Sequence, residues 1–369
     1  MSLIQYLSRI QFDFGAISLL AQEINALGFK RPLLITDKGI ENSGILQRVL
    51  DAAAPHKPAL YTGTTENPTE ASLHECMALW AEHRCDGLIA LGGGSPIDLT
   101  KAVALLASHG GKLEDYNVKT GGSAKIGKVV PQIAIPTAAG TGAEVGRACV
   151  MTLESGRKMV AVNLNMVADT IIADPELTLS LPANLTAATG IDALSHCVET
   201  FISPTINPPA DAIALDGLAR AAQWLPVAVQ DGSNRQARWE MMMASLEGGM
   251  VLQKGLGAAH AMATPLGEHH HHHGTLIGIL LPHVLAYNSD AVPARMEQMA
   301  QTVKTKRNLH DWTTDLVSSI GLPTTLSALG ETGETYTEIA EKAKADHLTL
   351  TNPKPVEVED YLNLLRGAL

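Results

Sequence analysis

Four short apolar runs punctuate the first half of the chain, RPLLITD (31–37), KPALYTG (57–63), DGLIALGGG (86–94) and VVPQIAIPT (129–137). Each is continuous rather than alternating and is bounded by Gly, Pro or Asp, the pattern of strands buried on both faces. Between them, SGILQRVLDAA, TEASLHECMALWAEH and PIDLTKAVALLAS carry apolar residues at helical spacing. Strands alternating with helices predict right-handed crossovers and a parallel sheet. A strand-like pair, RACVMTL and KMVAVNL, and the run TIIADPELT follow, and the pattern then changes. From about residue 180 the segments are long, rich in Ala, Leu and Met, and helical in period. The expected architecture is an α/β domain with a parallel sheet over residues 1–178 and an all-α domain over 179–369, joined near DPELTLSLP. A cleft between two such domains is the expected ligand site.

Composition narrows the function classes. With 369 residues, 46% apolar and 18% charged, the chain is globular and long enough for two cores. A net charge of −11 without a basic cluster argues against nucleic acid as a partner. No run of about eighteen apolar residues suggests a membrane span, and MSLIQYLSRI lacks the order of a signal peptide, so a cytoplasmic location is expected. Cys76, Cys85, Cys149 and Cys197 form no CxxC pair, which predicts buried packing rather than zinc ribbons or disulfides.

Two glycine-rich turns point to a nucleotide. LGGGSPIDLTKA follows an expected strand and opens an expected helix, with Ser95 placed to N-cap it and Pro96 at its first position. Unpaired N–H groups there favour a phosphate, although such a turn alone is weak evidence. PTAAGTGAE follows the strand ending at Thr137, and two such turns on one sheet suit the two phosphates of a dinucleotide. Asp37 ends the first strong strand, where a carboxylate accepts from ribose hydroxyls and repels a 2′-phosphate, favouring NAD over NADP. The same carboxylate serves equally well as N-cap of a helix starting at Lys38.

The helical half carries the candidate chemistry. Asp192 and His196 are four apart, on one face of an expected helix, and His260 and the run His269 to His273 offer further imidazoles. One carboxylate with up to three imidazoles suits Fe(II) or Zn(II) rather than calcium or magnesium. A solvated Asp–His pair is the commoner meaning of that spacing alone. The histidine run is internal and flanked by apolar sequence, which marks it as native rather than a tag. A metal-buffering protein without catalysis is the alternative from a different class, and the two nucleotide turns argue against it.

With these motifs in place, the chain resembles the iron-dependent (group III) alcohol dehydrogenase family over essentially its whole length. The resemblance rests on ITD (35–37), TENPT (65–69), GGGSPID (92–98), PTAAGTGAE (136–144), DPELTLSLPANLTAATGIDALSHCVE (174–199), GLGAAHAMATPLG (255–267) and HHGTLIGILLPHVLAYN (272–288). It implies a dehydroquinate synthase-like fold, a divalent metal (iron, or zinc as alternative) and reversible hydride transfer between a small alcohol and its aldehyde or ketone, with NAD or NADP, commonly in a homodimer or larger assembly. The family's metal ligands fall on Asp192, His196 and His260, and the fourth, a His before a Gly, falls on His273, with His272 and His271 as alternatives. Gly93, Gly94, Ser95, Thr137 and Thr141 match its phosphate-binding turns, Asp37 its ribose contact, and Lys158 a lysine beside the nicotinamide ribose; His273 and Lys158 are the expected catalytic residues. Bottom-up, Lys158 is no more than a solvated hairpin residue. Many members carry a proton-relaying His where this chain has Thr264, which opens the proton route to water, a ribose hydroxyl or one of His269 to His272. Maleylacetate reductases share the fold but lack the ligand set, and leave an oxo-acid reductase as the runner-up.

Overall fold

Continuous apolar runs become central strands because parallel neighbours and covering helices remove both of their faces from water. The structure, a computed structural model, describes residues 4, 6 and 8–369. The segment weighed above for a signal peptide, and with it the start of the expected first domain, lies in part outside the described residues.

Strands β1 (Arg9–Phe12), β2 (Pro32–Ile35), β3 (Ala59–Tyr61), β4 (Gly87–Gly92), β5 (Gln132–Pro136) and β8 (Thr170–Ala173) form one sheet in the order β1-β8-β5-β4-β2-β3. Every pairing in it is parallel. β2, β4, β5 and β8 are buried at every position. Strands β6 (Ala148–Thr152) and β7 (Lys158–Val162) form a separate antiparallel hairpin that buries alternate residues. Helices α1 (Leu20–Ala26), α2 (Lys38–Asn42), α3 (Ile45–Ala53), α4 (Glu70–Glu82) and α5 (Gly94–His109) make the crossovers. The parallel sheet expected from the sequence is present, with β1 as an edge strand that the apolar pattern does not announce; KPALYTG, expected to be buried on both faces, forms the opposite edge, β3, where Leu60 is exposed.

α5 is tied to the chain beyond β5 by a buried cation. Lys101 donates from Nζ to the carbonyls of Ala143 (2.6 Å), Gly146 (2.6 Å) and Ala148 (2.9 Å). One turn earlier, Asp98 accepts from the Val150 N–H at 3.0 Å. Three acceptors use all three ammonium donors, which is how a buried lysine avoids an unsatisfied charge.

The remaining helices are α6 (Ala183–Ile202), α7 (Pro208–Gln230), α8 (Arg235–Val251), α9 (Ala258–Leu266), α10 (His273–Asn288), α11 (Pro293–Thr302), α12 (Leu309–Ser319), α13 (Tyr336–Lys344) and α14 (Val358–Gly367). The strands and their helices, up to Ala138 and again from Gly142 to Ser180, form one compact unit. Leu181–Leu369 forms the other, together with Ala139–Thr141.

α6 is buried from Thr186 to Ile202 apart from Thr189 and packs against α7, α8 and α10, so it is the axis of the helical unit. Two glycines let its neighbours approach. A Cβ on Gly248 of α8 would lie 3.0 Å from the Ala193 carbonyl oxygen and 3.2 Å from His196 Cβ. A Cβ on Gly274 of α10 would lie 1.9 Å from the Ala188 carbonyl oxygen, so α10 sits on α6 only because that residue has no side chain.

The four cysteines are free and buried, as their spacing predicts. No helix among the described residues is long and apolar enough to cross a membrane.

Candidate metal centre and nucleotide turns

α6 presents Asp192, His196 and Glu199 at positions i, i+4 and i+7, one face of the helix. All three are buried. α9 brings His260 to that face and the first residue of α10 brings His273. Asp192 Oδ1 is then ringed by three imidazole nitrogens: Nε2 of His260 at 3.4 Å, of His196 at 3.6 Å and of His273 at 3.6 Å. The His196 and His260 rings stack with centroids 4.9 Å apart, and His273 tilts against His260 at 5.3 Å. Asp192, His260 and His273 offer ligand atoms all within 4.8 Å of one another.

A divalent ion fits these residues. Ligands held about 2.0–2.2 Å from a tetrahedral ion lie roughly 3.3–3.6 Å from each other, the separations found around Asp192 Oδ1. Asp192 Oδ1 and His260 Nε2 are buried and have no hydrogen-bond partner, a costly state for a carboxylate that coordination relieves. Charge points the same way. Burial opposes ionisation of Asp192, yet the His196, His260 and His273 rings hold its carboxyl well below the usual range. Burial pushes His196 down to about 4 against the pull of Asp192, leaving a neutral ring. His260 differs: burial disfavours its cation, but Glu199 and Asp192 outweigh this and raise it to about 9, so a bound metal would take the place of its Nε2 proton.

Glu199 escaped the sequence reading, and it orients the site. Its Oε2 lies 2.5 Å from His260 Nδ1, and its Oε1 accepts from the Ala259 N–H at 2.9 Å. α9 has no side-chain cap of its own, so Glu199 with Asn352, which accepts from the Ala258 N–H at 3.2 Å, terminates it from outside. A carboxylate on Nδ1 fixes the tautomer that leaves Nε2 free for a metal. The signal lay in the sequence as a third polar residue on the Asp192 face, three positions beyond His196.

The alternatives for the last imidazole separate by direction. His273 reaches Asp192, whereas Nε2 of His271 lies 2.7 Å from Glu331 Oε1 and His272 takes the N-cap position of α10. Thr264 donates its hydroxyl to the His260 carbonyl at 2.9 Å, inside its own helix.

The strand unit holds the first glycine-rich turn and, apart from Ala139–Thr141, the second. α5 begins at Gly94 with Gly93 as its N-cap. Ser95 therefore lies inside the first turn and does not cap the helix as expected; its Oγ donates to the Glu66 carbonyl. A Cβ on Gly93 would meet nothing within 4 Å, an open space at the helix N-terminus. The Thr137 N–H donates to the Gly92 carbonyl at 3.1 Å, and Gly92 pairs with Pro136, so the two turns leave adjacent strands side by side. Thr137 is buried, whereas Thr141 is exposed and groups with the helical unit. Asp37 caps α2 by accepting from the Ile40 N–H at 2.9 Å. Its Oδ2 lies 3.3 Å from where a Cβ on Gly92 would stand, which places the carboxylate beside the first turn. Lys158 opens β7 opposite Thr152, partly buried in the hairpin.

Comparison with known proteins agrees with this chemistry. The family model described as iron-containing alcohol dehydrogenase matches residues 8–175, and the model of the family's C-terminal part matches 186–369. The chain is 43% identical to a 4-hydroxybutyrate dehydrogenase of Cupriavidus necator over 100% of both chains. It is 35% identical to a 1,3-propanediol dehydrogenase of Klebsiella pneumoniae over 97% of this chain and 96% of that one. A crystal structure of 1,3-propanediol oxidoreductase superposes with a TM-score of 0.95 at 34% identity, covering 100% of both chains. Sequence, fold and ligand cluster thus agree on a metal-dependent, NAD(P)-linked oxidoreductase of alcohols and aldehydes, and the chain belongs to the iron-containing alcohol dehydrogenase family.

Proposed function

We propose that the protein interconverts a short primary alcohol and its aldehyde with NAD, holding Fe(II), or Zn(II) as alternative, on Asp192, His196, His260 and His273. The ring of three Nε2 atoms at 3.4–3.6 Å around Asp192 Oδ1 carries this reading. When bound, the ion supplies Lewis acidity toward the substrate oxygen, and the nicotinamide accepts the hydride. Asp192 contributes a fixed negative charge, His196 a neutral ring, and Glu199 holds His260 in the competent tautomer. His273, with 42% of its side chain exposed, is the ligand open to solvent and substrate. Thr264 commits its proton to a carbonyl, which leaves proton transfer to other groups.

The nucleotide side follows from the turns. The open space at Gly93 supports close approach of a diphosphate to the N–H groups of Gly94 and Ser95, with Thr137 and Thr141 on the second turn. Lys158 is assigned to the nicotinamide ribose and Asp37 to the adenosine ribose. We assign nucleotide binding to residues 1–178 and metal and substrate binding to 179–369, and place the protein in the cytoplasm as a homodimer or higher homo-oligomer. Within the primary alcohols, a hydroxy acid is favoured, because the 43% identical relative is a 4-hydroxybutyrate dehydrogenase.

Chelation followed by reconstitution tests the reading. Turnover of NAD with short alcohols, diols and hydroxy acids is expected to vanish with the metal and return with Fe(II) or Zn(II), the hydroxy acids giving the highest kcat/KM. Undiminished turnover by metal-free protein rejects the metal scheme, and a preference for diols replaces the substrate assignment alone.

Asp37→Asn separates the two roles of that residue. Asparagine caps a helix as well as aspartate, so α2 and the Tm are expected to be kept. Loss of the charge is expected to raise the NADP to NAD ratio of kcat/KM about tenfold, equivalent to ~1.4 kcal/mol. An unchanged ratio at unchanged Tm confines Asp37 to capping.

A further inference from the structure

The catalytic reading uses only the last of the five consecutive histidines. The loop that carries the others begins with a turn of 3-10 helix (Gly267–His269) and passes through His270 in the left-handed region, φ 66°. This geometry swings His269 and His271 toward the same point. Nδ1 of His269 lies 2.8 Å and Nε2 of His271 lies 2.7 Å from one oxygen, Oε1 of Glu331. The two rings meet edge to face with centroids 6.3 Å apart. Glu331 follows Gly330, whose φ is 88°, and donates its own N–H to the Leu326 carbonyl at 3.2 Å, so its backbone is fixed; its side chain is only 8% exposed. The three ligand atoms all lie within 4.8 Å of one another, and the side chains of His269 and His271, at 33% and 17% exposure, open the set to solvent.

Two imidazoles and one carboxylate are the donor set of first-row divalent cations, whereas magnesium and calcium ask for oxygen throughout. We propose that His269, His271 and Glu331 form a second, solvent-facing binding site for such a cation, zinc being the plainest case. In the metal-free chain the separations are hydrogen-bond lengths, with each ring donating an N–H to the shared oxygen. Binding needs each ring to move its proton to its other nitrogen and the three atoms to spread to roughly 3.3 Å, the edge of a tetrahedral zinc shell. Water completes the shell on the open side. The bound ion pins the loop two residues before His273 to the segment around Glu331, which links the peripheral site to the helix that presents the catalytic imidazole. None of the three residues belongs to the Asp192 cluster, so the site stands apart from the assignment of the catalytic metal.

The test counts metal on the untagged holoenzyme. The protein is equilibrated with a small excess of Zn2+, passed through gel filtration, and its total iron plus zinc per chain is measured, so that exchange at the first site does not alter the sum. Wild type is expected to hold one equivalent more than Glu331→Gln and His271→Ala, with affinity for that ion reduced roughly tenfold or more in each variant. His270→Gly, which suits the left-handed backbone and removes an imidazole outside the set, is expected to keep it. The proposal is overturned if wild type takes up no additional ion, or if the additional ion survives both Glu331→Gln and His271→Ala, the behaviour of loose adsorption along the histidine run. Because the readout is a difference in metal content between variants, failure of the catalytic assignment leaves it interpretable.

Discussion

Asp192→Ala is expected to lose bound metal and alcohol oxidation together, with kcat/KM falling by about 10³-fold or more, the equivalent of roughly 4 kcal/mol of Lewis-acid stabilisation. Asp192 is the only carboxylate in the cluster, and its Oδ1 is the atom that all three Nε2 atoms face. Removing it leaves three imidazoles without the charge that balances a divalent ion, and it leaves His260 with Glu199 as its remaining acidic neighbour. Metal content by elemental analysis and NAD reduction check the outcome, with a circular dichroism melt to show that α6 still folds. Retention of metal and full turnover in this variant, or full activity in a metal-free His196→Ala protein, rejects the ligand set.

Gly274→Ala is expected to be nearly as damaging without touching a ligand. The added methyl would stand 1.9 Å from the Ala188 carbonyl oxygen, an overlap that only backbone movement removes. Since His273 is the residue before it and opens α10, displacing α10 from α6 draws the fourth imidazole away from Asp192. Overpacking against backbone costs roughly 1–3 kcal/mol and sometimes more, so a lower Tm and weaker metal retention are expected to appear together. An alanine variant with wild-type Tm and metal content shows that α10 tolerates the shift and removes the steric explanation for the glycine.

Strand and helix types in the first half were legible where one residue class filled both faces. β2, β4 and β5 are continuous apolar runs because they are central in the sheet, and their short length between Gly, Pro and Asp favours strand over buried helix. β1 was not legible. Its residues RIQF carry two polar side chains, and these are satisfied by a buried carboxylate on the next helix: Arg9 and Gln11 donate to Glu23 at 2.9 and 2.8 Å. The start of α5 was misread by a residue pair, since Gly93 rather than Ser95 caps it and periodicity does not fix a boundary.

In the site, i,i+4 spacing brought Asp192 and His196 to one face, but spacing alone did not connect that face with residues 64 and 77 positions beyond His196. Residue type offered His260 and the run His269 to His273 as further imidazoles, and the family resemblance picked His273 out of the run. Asp37 was left between two roles, and the structure assigns it the cap while leaving its second oxygen beside Gly92. Glu331, sixty residues from His271, was invisible because pairing across that distance depends on where a distant turn places one carboxylate.

The metal centre takes its cation from solution, whereas the loop after β5 closes on one the chain already owns. Lys101 spends each of its three N–H bonds on a different carbonyl, and a tetrahedral ammonium meets three converging oxygens in a way that the flat fork of an arginine does not. The backbone from Ala143 to Ala148 is therefore gathered around a charge carried by α5 itself, and its shape asks nothing of the ion at the metal centre.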